Sequence, residues 1–188
     1  MKLNRSIIVS FVLLVVIAAI YRAMPDRPFG FAPQIAMAVF GGAVIRNRML
    51  AFALPLLSML VSDLLYHLLY LNGMSRIPGF YSGQLTNYIL FALLTVIGFF
   101  IKRLTVVRIF AASLIAPTVY FLLSNFLVWI NGGGFIRPKT FQGLMQCYQD
   151  ALPFYRNSLA ASVFFCAVLF GGYYLVKNFI WKEKAQAA

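Results

Sequence analysis

The sequence predicts an all-α polytopic membrane protein with about six transmembrane helices, and two features of its composition carry that prediction. Hydrophobic residues make up 62% of the 188 residues and charged residues only 11%, whereas soluble domains have about 45–50% and about 25%. The apolar residues also fall into six separate segments. Since a bilayer-crossing helix needs about 20 predominantly apolar residues, we expect one integral membrane domain over residues 1–188.

The six apolar segments place the spans in order along the chain. They lie at about residues 6–21, 31–45, 50–70, 84–101, 109–130 and 158–176. The first segment follows Lys2 and Arg5, as the apolar part of a signal peptide does. Because Tyr21-Arg22-Ala23 is a poor cleavage site, we expect this segment to be retained as a span, and its cleavage is the alternative. The second, opened by Pro33, is short for a crossing, and a re-entrant segment is its alternative.

The longest connection, at residues 131–157, predicts a lid on the outer face. It begins with a glycine run at 132–134, which is typical of a flexible turn. Phe141, Leu144, Met145 and Tyr148 then recur at helical spacing, which predicts a short interfacial helix. Pro153 is expected to open the last span.

Charge counts predict the orientation of the bundle. With the N-terminus inside, ten Lys and Arg residues fall on the inner side and six on the outer side. Loops rich in Lys and Arg stay cytoplasmic, so both termini are expected inside. The basic residues lie between apolar blocks and form no stripe, so we expect them to contact lipid headgroups of the bilayer and no nucleic acid.

Polar residues within the spans collect in the outer half and predict a pocket open to the outside. The candidate ligand-binding residues are Asp63, His67, Asn87, Asn125 and Trp129. An ionisable side chain in a span usually faces the bundle interior and has a partner. His67 lies four residues after Asp63, on the same helix face. The alternatives are a structural Asp63–His67 or Asp63–Asn125 bond and an interfacial position for Trp129.

Catalytic and metal motifs are absent from the sequence. It has no Walker A loop, no Gly-x-Ser-x-Gly elbow and no HExxH. Cys147 and Cys166 lack the spacing of metal ligands. We therefore expect no enzyme, no cofactor and no metal, and an enzyme based on Asp63 and His67 is a remote alternative.

Small residues four apart predict close helix contacts at two places, Ala38/Gly42 and Ala167/Gly171. Internal packing is the first interpretation of both pairs. A docking face for another membrane protein is the alternative.

Several ordered motifs over about residues 20–175 resemble an uncharacterised bacterial family of candidate six-span transport proteins. They lie at residues 28–43, 55–63, 124–129, 143–148, 151–154 and 169–173. The family's Ser-Asp motif falls on Ser62 and Asp63, and its Asn-x-x-x-Trp motif on Asn125 and Trp129. The resemblance implies a multi-pass protein of the bacterial cytoplasmic (inner) membrane.

That family is in turn similar to the S-components of energy-coupling-factor (ECF) vitamin transporters. The similarity implies a six-helix S-component-like bundle that binds a small, vitamin-like molecule from outside. It also implies a separate membrane coupling protein and ATPase module that docks on an alanine-rich surface of the first helix. In this chain, Ala18 and Ala19 are the alanines of that surface. The alternative function is a non-transporting membrane scaffold or assembly subunit of the cell envelope.

Overall fold

Six α-helices, α1 to α6, form the described part of the chain in the computed structural model. The structure describes residues 5–24, 27–76, 78–132 and 137–186. The helices are α1 (Arg5–Ala23), α2 (Gln34–Val44), α3 (Arg48–Leu71), α4 (Gln84–Phe99), α5 (Val106–Asn131) and α6 (Phe141–Gln186). Each predicted span contains or lies within one helix, so the all-α class and the helix order are confirmed.

Three helices are long and apolar enough to cross a membrane. They are α3, α5 and the part of α6 at Phe141–Asn178. At 1.5 Å per residue, the 26 residues of α5 extend about 39 Å, against a hydrocarbon core of about 30 Å. The chain is therefore a membrane-associated protein, as its composition predicts.

The short helix α2 lies at the centre of the bundle. Eight of its 11 residues are buried, from Gln34 to Gly41, and its side chains join a single hydrophobic core to which all six helices contribute. Its 11 residues extend only about 16 Å, so α2 alone is too short for a bilayer crossing. The predicted second span thus consists of an irregular segment followed by a short buried helix.

Glycines let α2 approach α4 closely. A Cβ atom added to Gly42 would lie 2.9 Å from the Cα of Gly98 and would collide with the carbonyl oxygen of Thr95. Only glycine fits at such a backbone contact. The Ala38/Gly42 pair therefore serves internal packing, as predicted. The Ala167/Gly171 pair does not pack in this way, because a Cβ added to Gly171 would meet nothing within 4 Å and Ala167 is exposed.

Side chains of α6 hold the irregular segment before α2. Asn157 Nδ2 donates to the carbonyl oxygen of Phe29 at 2.8 Å, and Ser158 Oγ donates to that of Gly30 at 3.1 Å. Arg27 Nη1 donates to the carbonyl of Phe31 at 2.8 Å. Irregular backbone is tolerated at membrane depth only where protein satisfies its polar groups, and these three side chains do so.

The last helix begins earlier than predicted. α6 runs without interruption through residues 141–186 and contains Pro153, so the expectation that Pro153 opens the last span at 158 is wrong. Proline removes one backbone hydrogen bond, to the carbonyl of Gln149. Both residues are exposed, so no neighbouring helix is in the way of the ring, and the apolar spacing from Phe141 onward continues directly into the span.

Candidate functional site

Asp63 is the most deeply buried acidic group among the described residues. It is 1% exposed, and both of its carboxylate oxygens accept bonds. Arg22 Nη1 of α1 lies 2.5 Å from Oδ1, while Gln84 Nε2 and the Tyr88 hydroxyl of α4 donate to Oδ2 at 2.7 and 2.9 Å. One carboxylate of α3 therefore connects α1 and α4 inside the bundle.

Arg22 makes further contacts along α3. Its guanidinium donates to the hydroxyl of Ser62 and to the carbonyl of Met59 at 3.4 Å, and the Tyr66 hydroxyl donates to the Arg22 carbonyl at 2.7 Å. We call Arg22, Ser62, Asp63, Gln84 and Tyr88 the Arg22–Asp63 cluster. A buried ion pair is favourable only when additional hydrogen bonds satisfy its remaining donors and acceptors, and in this cluster Gln84 and Tyr88 provide them for the carboxylate.

A second set of polar groups continues from the cluster to the surface. Asn87 Nδ2 donates to the Tyr81 hydroxyl at 2.7 Å, and the Tyr120 hydroxyl donates to Asn87 Oδ1 at 3.1 Å. Asn87 follows Gln84 by one helical turn, while Tyr81 is exposed. Polar groups thus extend from a buried carboxylate to an exposed tyrosine at the end of the bundle where α3 finishes and α4 begins.

His67 is near Asp63 in the chain but is not bonded to it in the described structure. Its ring lies 5.1 Å from that of Phe80, edge to face, and Gly79 packs closely against the backbone of Asp63 and His67. Its buried Nδ1 has no hydrogen-bond partner among the described residues. The Asp63–His67 bond, one of the alternatives to a ligand site, does not form there, and Arg22, Gln84 and Tyr88 are the partners of the carboxylate.

Asn125 and Trp129 belong to a separate contact region between α5 and α6. Asn125 Nδ2 donates to the carbonyl of Phe121, one turn earlier in its own helix, at 2.8 Å. Trp129 Nε1 donates to the carbonyl of Pro138 at 2.9 Å, and the Lys139 amine lies 5.4 Å from the Trp129 ring centre. The structure therefore gives Asn125 a partner other than Asp63 and uses Trp129 to fix the start of α6.

The predicted lid, as far as it is described, packs along α5. The Tyr148 hydroxyl donates to the carbonyl of Leu122 at 3.0 Å, and the rings of Tyr155 and Phe121 stack with centres 4.4 Å apart. Residues 133–136 of this connection lie outside the described part. From Phe141 onward the segment is a regular helix, so a hinged lid is not what these contacts form.

Sequence reasoning missed the partner of Asp63. In the sequence, Arg22 follows the first apolar segment like an ordinary loop charge, and Gln84 and Tyr88 lie at the start of the fourth segment. The available signal was electrostatic: a carboxylate in a span requires a counter-charge, and a long arginine arm can reach into the bundle from a helix end. In the described part, no group of three His, Cys, Asp or Glu side chains could hold a metal ion.

Together these observations define an all-helical membrane-associated protein whose described interior contains an ion pair with further hydrogen bonds to both carboxylate oxygens. The chain belongs to a family: the family of unknown function DUF6580 matches residues 1–185. This confirms the predicted membership of an uncharacterised family. No curated protein and no solved structure matches the chain, so its function has to be inferred from the geometry of the cluster.

Proposed function

We propose that this chain is the substrate-binding subunit of a membrane transporter and takes up a small molecule at the Arg22–Asp63 cluster. The observation that carries the proposal is the convergence of polar side chains from α1, α3, α4 and α5 at one end of the bundle. They connect a carboxylate that is 1% exposed to an exposed rim at Tyr81. Buried ionisable groups in membrane helices frequently mark substrate pathways.

The proposed orientation places this polar end outside a bacterial cytoplasmic membrane, with both termini inside. The opposite end has the α2–α3 and α4–α5 turns. In the sequence, these two turns and the two terminal segments contain ten of the 16 Lys and Arg residues and one of the four acidic residues, Glu183. That distribution agrees with the positive-inside rule. Six crossings follow if the irregular segment and α2 count together as one crossing.

In this proposal the ligand exchanges bonds with the donors around Asp63. Gln84 and Tyr88 are only half-buried, so a ligand amine or hydroxyl entering past Tyr81 can replace either donor on Oδ2. Arg22 stays in place as counter-charge on Oδ1. Asn87, with one donor group and one acceptor group, orients the bound molecule at the rim.

Transport then requires a partner that supplies energy, as in ECF transporters, because the sequence contains no Walker A loop. The partner cannot use the alanine surface that the S-component similarity suggests. Ala18 is 6% exposed and Ala19 is fully buried, so both belong to the core. A coupling protein would have to dock on another face of the bundle.

The test compares the wild-type protein with the double variant Arg22→Met/Asp63→Leu, which removes both charges and keeps a long unbranched side chain at position 22 and the same branching at position 63. Both proteins are purified gently from their native membrane and examined by native mass spectrometry for a bound small molecule. In parallel, cells that express each protein are compared for depletion of metabolites from the medium. We expect a bound molecule and a depleted metabolite with the wild type alone.

A folded double variant that carries and depletes the same molecules as the wild type would refute this binding site. A matched control is the exposed ion pair Arg137–Asp150, whose removal should change neither readout. If the wild type brings down a stoichiometric membrane protein with no small molecule and depletes no metabolite, the envelope scaffold replaces the transporter.

A further inference from the structure

A groove separates the first turns of α5 from the second half of α6. Its volume is about 670 Å³, within the range of about 300–1,000 Å³ that is typical of small-ligand sites. It lies at the opposite end of the bundle from the Arg22–Asp63 cluster. The residues that characterise it are Ile109, Phe110, Ala167, Gly171, Tyr174 and Lys177.

The floor of this groove is open because the large side chains of this part of α6 pack against α2. Phe170 and Tyr173 turn toward α2, where both contact Phe40 with ring centres 5.2 and 6.1 Å apart. The neighbouring face of α6 presents Ala167 and Gly171, and a Cβ added to Gly171 would meet nothing within 4 Å. The small residues therefore leave a channel that no described part of the chain fills.

The walls of the groove are apolar and exposed. Val106 is 84% and Phe110 53% exposed, and Tyr174 on the opposite wall is 64% exposed. The hydroxyl of Ser113, a polar group in the lining, already donates to the carbonyl of Phe110 at 2.8 Å. Because this lining is apolar, its occupant must itself be apolar along most of its length.

One end of the groove is strongly cationic. Lys177 lines it, and helical side chains tilt toward the helix N-terminus, so this lysine extends back over the groove. The adjoining turns contribute the exposed residues Lys102, Arg103 and Arg46. In the sequence, the segments at this end contain ten Lys and Arg residues and one acidic residue, Glu183, so an anionic group is the complementary occupant.

The dimensions favour a lipid chain over a protein helix. The groove follows α6 from residue 163 to residue 177, a rise of about 21 Å. A helix about 10 Å in diameter and of that length displaces roughly 1,600 Å³, more than twice the volume of the groove. An acyl chain is much narrower and can lie on Gly171 and Ala167 without displacing either wall.

We propose that the groove binds one anionic phospholipid, with an acyl chain along Ala167 and Gly171 and its phosphate beside Lys177. Anionic headgroups prefer basic clusters at the cytoplasmic side of membrane helices. The site is independent of the transport proposal, since none of its residues belongs to the Arg22–Asp63 cluster.

The experiment uses native mass spectrometry of the full-length protein equilibrated with phosphatidylglycerol or with phosphatidylcholine of the same acyl chains. We expect one retained phosphatidylglycerol per chain and clearly less phosphatidylcholine. Gly171→Leu fills the channel and should abolish retention of both lipids. Lys177→Gln should reduce the preference for phosphatidylglycerol about fivefold, the effect of one basic side chain at an anionic surface.

Two substitutions serve as matched controls. Gly172→Leu adds the same side chain at a glycine that is equally open but does not line the groove, and Arg156→Gln removes an exposed charge of α6 at the opposite end of the bundle. Both should retain the lipid as the wild type does, and thermal unfolding checks that all variants are folded. Equal retention by Gly171→Leu and Gly172→Leu, equal binding of the two lipids, or a protein helix cross-linked in the groove would overturn the proposal.

Discussion

Separating Arg22 from Asp63 should destabilise the protein far more than removing both. Asp63 is 1% exposed, and losing one partner of a buried ion pair costs about 3–5 kcal/mol. The Arg22 side chain is 19% exposed and can turn partly toward water, so we expect the lower value, about 3 kcal/mol, for Asp63→Ala. The double variant Arg22→Met/Asp63→Leu should lie within about 1 kcal/mol of the wild type.

The assay is thermal unfolding in one detergent for the wild type, Asp63→Ala, the single variants Arg22→Met and Asp63→Leu, and the double variant. For a chain of this size, 3 kcal/mol corresponds to a fall in Tm of about 6–12 °C. The wild type, Arg22→Met, Asp63→Leu and the double variant form a double-mutant cycle, and we expect a coupling energy of at least about 2 kcal/mol between the two positions. Additive effects, or an Asp63→Ala variant as stable as the wild type, would show that the pair does not hold α1 to α3.

Two further predictions use the same unfolding assay. Gly42→Leu should prevent α2 from packing on α4 and abolish folded protein. The control Gly73→Leu, at a position with open space, should cost only about 1 kcal/mol for its positive φ. Equal yields of folded protein from the two variants would contradict the close contact between α2 and α4. Arg137→Ala should lower the free energy of unfolding by at most about 1 kcal/mol, because the salt bridge to Asp150 is about one-third exposed. A loss of stability as large as that of Asp63→Ala would contradict the difference in burial between the two ion pairs.

Hydrophobic segmentation predicted the order of the helices because each span must be apolar over most of its length, whatever it packs against. It located α3 within two residues at either end. In the structure, Asn47 caps the start of this helix by accepting a hydrogen bond from the backbone nitrogen of Leu50. It misplaced the start of α6, because a proline within a helix and a proline at a helix start look the same in one sequence. The environment of Pro153 decides between them, and that depends on tertiary structure.

The candidate site was predicted only in part. Asp63 and Asn87 were found because each is a polar residue in an apolar segment, and both lie on the polar path from the core to Tyr81. Arg22 was missed because a charge at the end of a span normally faces the headgroups, and 41 residues separate it from its partner. Asn125 and Trp129 were grouped with Asp63 by depth alone, which cannot distinguish the α5–α6 contact from the interface of α1, α3 and α4.

The irregular segment before α2 has a consequence for the biogenesis of the protein. Its Phe29 and Gly30 carbonyls accept hydrogen bonds from side chains 128 residues further along the chain. At about 5–20 residues per second, the ribosome needs roughly 6–26 s to make that stretch. Throughout that time the carbonyls of Phe29 and Gly30 lack these two donors. The contacts that hold the second segment can therefore be completed only after α6 has been synthesised, although the segment is among the first to be translated.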